Sequence, residues 1–148
     1  MNAQAPFGGG VFIADTSAWG VVEQLPEAIK RDWEQALENN KIASSPAVAL
    51  ETLYSAQNAQ EFDYWAARLW ALPPAVISRQ AWWATVEGYR ELAHQGRHRH
   101  VPFPDLLTAG AATAHHYGVL HYDRHYDELA ALDAFTYESR WIAAPGTV

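Results

Sequence analysis

Five short stretches of β character, "VFIA" at Val11–Ala14, "KIASSP", "PPAVIS", "VLHY" and "FTYESRWIA", alternate along the chain with segments of helical length and spacing. That alternation constrains the fold more than any other feature. Strands interleaved with helices imply βαβ units and an α/β fold, a mostly parallel sheet of about four to five strands with helices on both faces. At 148 residues there is room for one core, and neither an internal repeat nor a linker divides the chain. A single domain is expected over residues 11–142, with residues 1–10 and 143–148 as flexible termini.

The helical segments differ in character. "DTSAWGVVEQL" reads as a helix start capped by Thr16 or Ser17, and "PEAIKRDWEQALENN" has proline in its first turn and asparagine at its end. "QEFDYWAARLWAL" sets Phe62, Trp65, Ala66, Leu69 and Trp70 on an aromatic face, and "RQAWWATVEGYRELAHQ" sets Trp82, Val86, Tyr89 and Ala93 on one side. "PDLLTAGAATAHHYG" is apolar nearly all round, as expected of a helix buried against a sheet. Trp65, Trp70, Trp82 and Trp83 are most simply core, but a surplus of aromatics in a small domain can also build a partner surface. Some of these rings are therefore expected to be exposed.

Composition removes several function classes. Without cysteine there is no disulfide, thiolate metal site or thiol nucleophile. The formal charge of −7 and a complement of only two lysines, Lys30 and Lys41, speak against nucleic-acid binding by bulk electrostatics. Any such contact must be local and built on arginine. No membrane-length apolar run and no leader-like N-terminus occurs, so a cytoplasmic protein is expected. His98, His100, His115 and His116 match no zinc framework, since adjacent residues on a helix point about 100° apart.

The acids are the informative residues. In open parallel sheets the functional crevice lies beyond the carboxyl ends of the strands. Asp15 directly follows "VFIA" and Asp123 directly follows "VLHY", so both belong at that edge. Glu51 shares a helix face with Ala47 and Tyr54, and Asp105 opens the small-residue helix that runs into the core. Taken singly, each acid also has a structural reading as a cap, a helix-dipole partner or a solvated side chain.

Taken together and in order, "VFIADTSAW", "LETLYSA", "PFPDLLTAGAATAHHYG" and "VLHYDRHYDEL" resemble the PIN-domain family, most closely its VapC-type toxin ribonucleases. The resemblance spans Val11 to the last strand. It implies a PIN-like three-layer fold and metal-dependent endonucleolytic cleavage of RNA. It assigns Asp15, Glu51, Asp105 and Asp123 to the acidic site, with Ser17 or Thr16 beside the first acid. It also implies a cognate antitoxin that inserts a segment over the acidic groove, and a homodimer. One departure is His125, which stands where the family commonly has a further acid; Asp127 is a candidate substitute one turn on.

Two unit charges about 4 Å apart repel by roughly 4 kcal/mol at an effective dielectric of 20, so such a cluster must protonate or bind a cation. Oxygen ligands point to Mg²⁺ or Mn²⁺, with Asp15, Asp105 and Asp123 as direct or water-mediated ligands. Glu51 either holds a metal-bound water or acts as general base. Arg97 and Arg99 in "GRHRH", and Arg124, are the candidate phosphate contacts. Two rival readings stand beside this one. An aspartate phosphotransfer domain would need a late helper lysine, and none follows Lys41. A catalytically weak PIN-like module would bind RNA or protein without cutting.

Overall fold

The computed structural model describes residues 5–148. The part of the N-terminal stretch read as flexible that covers residues 1–4 lies outside the described residues, and Pro6–Gly9 forms a 3₁₀ turn. Among the described residues four strands form one sheet: β1 (Phe12–Ala14), β2 (Ile42–Ala43), β3 (Gly118–His121) and β4 (Ser139–Trp141). Their order is β2-β1-β3-β4, and every pairing is parallel. Seven α-helices fill the connections: α1 (Thr16–Val21), α2 (Glu27–Glu38), α3 (Pro46–Tyr54), α4 (Ala59–Trp70), α5 (Arg79–His94), α6 (Phe103–His115) and α7 (His125–Ala130).

The strands alternate between two cores, as a period-two backbone must. Ile13, Ala43 and Val119 face a core shared with Val48, Leu92, Leu106, Ala109 and Tyr126. Phe12, Ala14, Ile42 and Leu120 face a second core with Ala18, Trp33, Ala36 and Ile142. The result is three layers, with α1 and α2 on one side and α3, α5, α6 and α7 on the other. The chain leaves β1 toward β2 and later returns past β1 to β3. The topological switch point, where such sheets form their crevice, therefore falls between the ends of β1 and β3.

Three local expectations change. "PPAVIS" contributes only an isolated bridge between Ser44 and Pro74, so the sheet stops at four strands. Consecutive prolines remove the ladder donors a fifth strand would need. The cap of α1 is Asp15 itself, whose carboxylate accepts from the Ser17 N–H; Thr16 and Ser17 lie inside the helix.

The third change concerns α5, whose buried side is Ala81, Thr85, Gly88 and Leu92, while Trp82, Val86 and Tyr89 face outward. α5 packs closely on α6, and Gly110 shows how closely. A Cβ there would lie 2.6 Å from the Ala81 carbonyl oxygen and collide with the Thr85 hydroxyl. Only small side chains fit that seam, which turns the aromatics outward. Trp70 is 92% exposed, Trp83 66% and Trp82 56%, as the aromatic surplus led one to expect. Among the described residues no helix is long and apolar enough to cross a membrane.

Candidate active site

Asp15 is presented at the tip of β1, where its own N–H donates to the Leu120 carbonyl and ties it to β3. Its side chain is buried, and both oxygens are engaged. Oδ2 accepts from the Ser17 N–H at 3.0 Å and the Ser17 hydroxyl at 2.7 Å. Oδ1 accepts from the Tyr126 hydroxyl at 2.6 Å. Ser17 Oγ also accepts the Tyr122 N–H at 3.0 Å, so this one hydroxyl joins the ends of β1 and β3. Thr16, the other hydroxyl considered, has a buried Oγ1 with no hydrogen-bond partner.

Asp105 sits in the first turn of α6 and is also buried. The Tyr126 hydroxyl approaches its Oδ1 at 3.2 Å. Burial first, then the charges of Asp15, Asp123 and Glu51, push its carboxyl up to about 7, a rise that the Tyr126 contact only partly opposes. Glu51, exposed on α3, is raised as well, by partial desolvation and then by Asp15. Asp123 lies two residues beyond β3. Its N–H donates to His121 Nδ1 at 3.2 Å and its Oδ1 accepts the His125 N–H at 3.0 Å.

Ligand atoms of Asp15, Glu51 and Asp105 all lie within 4.8 Å of one another, and so do those of Asp105, Asp123 and His125. Asp105 belongs to both groups. Among the described residues none of these four carboxylates pairs with a lysine or arginine. Their repulsion is relieved by hydroxyl and N–H donors and by the proton Asp105 retains up to about 7.

Asp127 is not brought to this cluster. Its carboxylate accepts from Ser139 Oγ at 2.5 Å and Trp141 Nε1 at 2.8 Å. Partial desolvation disfavours its ionisation, but those two bonds and His121 outweigh it and hold its carboxyl below the ordinary value. Behind Asp123, the buried His121 has Nε2 2.7 Å from Ser139 Oγ. Since its Nδ1 accepts from Asp123, Nε2 carries the proton, and the chain His121–Ser139–Asp127 braces the turn that bears Asp123.

Of the candidate phosphate contacts, Arg97 is paired with Glu128 at 3.3 Å, while Arg99 and Arg124 are exposed. Two residues of the site escaped the sequence reading as participants. Tyr126 resembled an ordinary core aromatic, and nothing local marked its hydroxyl as the bridge between two distant acids. In the sequence His125 stands out only as a departure from an expected acid, yet its Nδ1 stands 3.5 Å from both Asp105 Oδ2 and Asp123 Oδ1.

No family model matches the chain. Over 140 residues it is 37% identical to Ribonuclease VapC18 of Mycobacterium tuberculosis (strain ATCC 25618 / H37Rv), covering 93% of this chain and 99% of that protein. Ribonuclease VapC51 of the same strain is 30% identical over 138 residues, 93% of this chain and 96% of that protein. Among solved structures, DNA-bound VapBC from Salmonella typhimurium superposes with a TM-score of 0.69 over 90% of this chain and 99% of that one, at 19% identity. VapBC-5 from Mycobacterium tuberculosis does so at 0.58 over 88% and 98%, at 18% identity, and these likenesses establish a shared fold. With near-full-length relatives at this identity and four acids gathered at the switch point of a parallel three-layer sheet, the chain belongs to the VapC family of ribonucleases.

Proposed function

We propose that this protein is a metal-dependent endoribonuclease, the toxin of a toxin–antitoxin pair, acting through Asp15, Glu51, Asp105 and Asp123. The observation that carries the reading is the convergence of these acids, from four separate segments, with no lysine or arginine paired to them among the described residues. Such a donor set fits a divalent cation, Mg²⁺ or Mn²⁺. So does the buried Nδ1 of His125, which faces two carboxylate oxygens without a hydrogen bond. Asp15, Asp105 and Asp123 would hold the ion directly or through water, Asp105 belonging to both ligand groups. When bound, it supplies Lewis acidity to the phosphate and lowers the pKa of a coordinated water.

The chain's own groups do the rest. Ser17 and Tyr126 orient Asp15, and the His121–Ser139–Asp127 chain fixes Asp123. Glu51, at the exposed rim with its carboxyl raised, would take the proton from an attacking water, the raised carboxyl supporting a base over a metal-water holder. Arg99 and Arg124, exposed and without an ion pair among the described residues, would meet phosphates, and Arg97 would join them once its exposed pair with Glu128 opens.

An antitoxin partner belongs to the same reading. The solved neighbours are VapBC toxin–antitoxin complexes, and this chain exposes Trp70, Trp82 and Trp83. An apolar groove of about 720 Å³ lies beside Trp70, lined by Leu50, Leu53, Ala66 and Val76. Aromatic faces of this kind are typical of interface cores, and a homodimer would use another part of the same surface.

Cleavage of a labelled RNA panel in Mn²⁺ or Mg²⁺ tests the activity. Asp15→Asn and Asp123→Asn should each reduce the rate at least about a hundredfold, and EDTA should abolish it. Equal rates in all samples would refute the assignment.

A further inference from the structure

We infer that His125 is a metal ligand through Nδ1, and that the position formed by Asp105, Asp123 and His125 prefers a first-row transition cation, probed as Mn²⁺, over Mg²⁺. The inference rests on the metal-dependent reading above and deepens it.

The His125 side chain is 32% exposed, but its Nδ1 atom is buried and makes no hydrogen bond among the described residues. A polar nitrogen removed from water without compensation costs free energy, so its surroundings must be explained. Those surroundings are two carboxylate oxygens, Asp105 Oδ2 and Asp123 Oδ1, each 3.5 Å away. That separation is long for an N–H···O bond, yet ligand atoms around one small divalent ion lie roughly 3 to 3.5 Å apart. The three atoms have the spacing of a coordination shell rather than of a hydrogen-bond network.

The local backbone makes this arrangement reproducible. The His125 N–H donates to Asp123 Oδ1 at 3.0 Å, forming a turn that keeps the carboxylate and the imidazole together. His125 is the first residue of α7, and the next residue, Tyr126, is buried with its hydroxyl against Asp15 and Asp105. The helix that delivers the imidazole is thus anchored by the same acids that would share the ion.

Chemistry then separates the two candidate cations. Mg²⁺ favours oxygen ligands in a near-ideal octahedron, whereas imidazole nitrogen suits first-row transition ions, least strongly Mn²⁺, which still accepts nitrogen more readily than Mg²⁺ does. Replacing a carboxylate by a neutral imidazole also removes one negative charge, and with it part of the purely electrostatic attraction that Mg²⁺ depends on. The group Asp15, Glu51 and Asp105 offers oxygen alone, so the nitrogen is specific to the Asp123 side of the cluster.

The test is pulsed EPR of the full-length protein loaded with Mn²⁺, alongside calorimetric titrations with Mn²⁺ and Mg²⁺. The same measurements are made on His125→Asp and Asp105→Asn. The wild type should show hyperfine coupling to a directly bound nitrogen, and His125→Asp should lose it. The preference for Mn²⁺ over Mg²⁺ should fall roughly tenfold in His125→Asp, and Asp105→Asn should weaken both ions. Mn²⁺ bound to the wild type without nitrogen coupling overturns the role of His125 while leaving an oxygen-only metal site. Binding of neither ion to the wild type overturns both the ligand assignment and the metal-dependent reading. The wild-type spectrum decides the ligand even where a variant fails to fold.

Discussion

At the scale of single residues, the site is organised by hydroxyls as much as by acids. Tyr126 places one oxygen between Asp15 and Asp105, and Ser17 places one between Asp15 and the backbone after β3. Burial and the two neighbouring carboxylates hold the Tyr126 phenol well above its ordinary value, so it remains a donor. Tyr126→Phe keeps the ring and removes the donor. It should destabilise the metal-free protein by about 1.5 to 3 kcal/mol, the range for a hydrogen bond to a charged group, measured by urea unfolding in EDTA. An unchanged midpoint would mean that the hydroxyl is incidental. The gathering of Asp15, Glu51, Asp105 and Asp123 is legible from sequence because they stand in ordered motifs, two of them at strand ends. Tyr126 was not, because its bond to Asp15 joins residues 111 positions apart, and no local pattern encodes such a pairing.

At the scale of elements, the close crossing of α5 and α6 sets where Asp105 lies relative to β1. Gly110→Ala would drive a methyl into Thr85 and the Ala81 carbonyl, and the backbone contact cannot rotate away. A cost of about 1 to 3 kcal/mol is expected, with weakened metal binding as the start of α6 shifts; thermal melts with and without Mn²⁺ measure both. A melting temperature at the wild-type value would show that the seam is looser than described. The strand and helix alternation was readable in the sequence, and so was the burial of the small-residue helix. The orientation of α5 was not. Its large apolar residues satisfy helical periodicity just as well as its small ones, and only the proximity of α6 to Ala81 and Thr85, and of Phe135 to Gly88, decides that these residues go inside. The absent fifth strand has the same lesson, since "PPAVIS" is apolar enough for a sheet but prolines supply no ladder donors.

At the scale of the whole molecule, the acidic cluster couples pH to stability, and a bound metal would join that coupling. The Asp105 carboxyl is raised from 3.8 to about 7, so the metal-free fold is penalised fully above pH 7 and is relieved as pH falls toward 3.8. His121 works oppositely. Burial lowers it from 6.5, so its contribution is complete above 6.5 and is lost as pH falls below that value. A cation must displace the proton of Asp105 below about 7. Mn²⁺ should therefore raise the melting temperature more at about pH 8 than at about pH 6, and a shift independent of pH would argue against Asp105 as a ligand. The central claim is hydrolysis by water activated at this cluster, and the ends of the RNA products report it most directly. The measurement is analysis of those ends after single-turnover cleavage in Mn²⁺, with the wild type beside Asp105→Asn. Attack by water leaves a linear phosphate from the first turnover, and Asp105→Asn should yield no product above background. Cyclic phosphate ends, formed when a neighbouring ribose hydroxyl attacks, or cleavage that survives Asp105→Asn, would contradict the account.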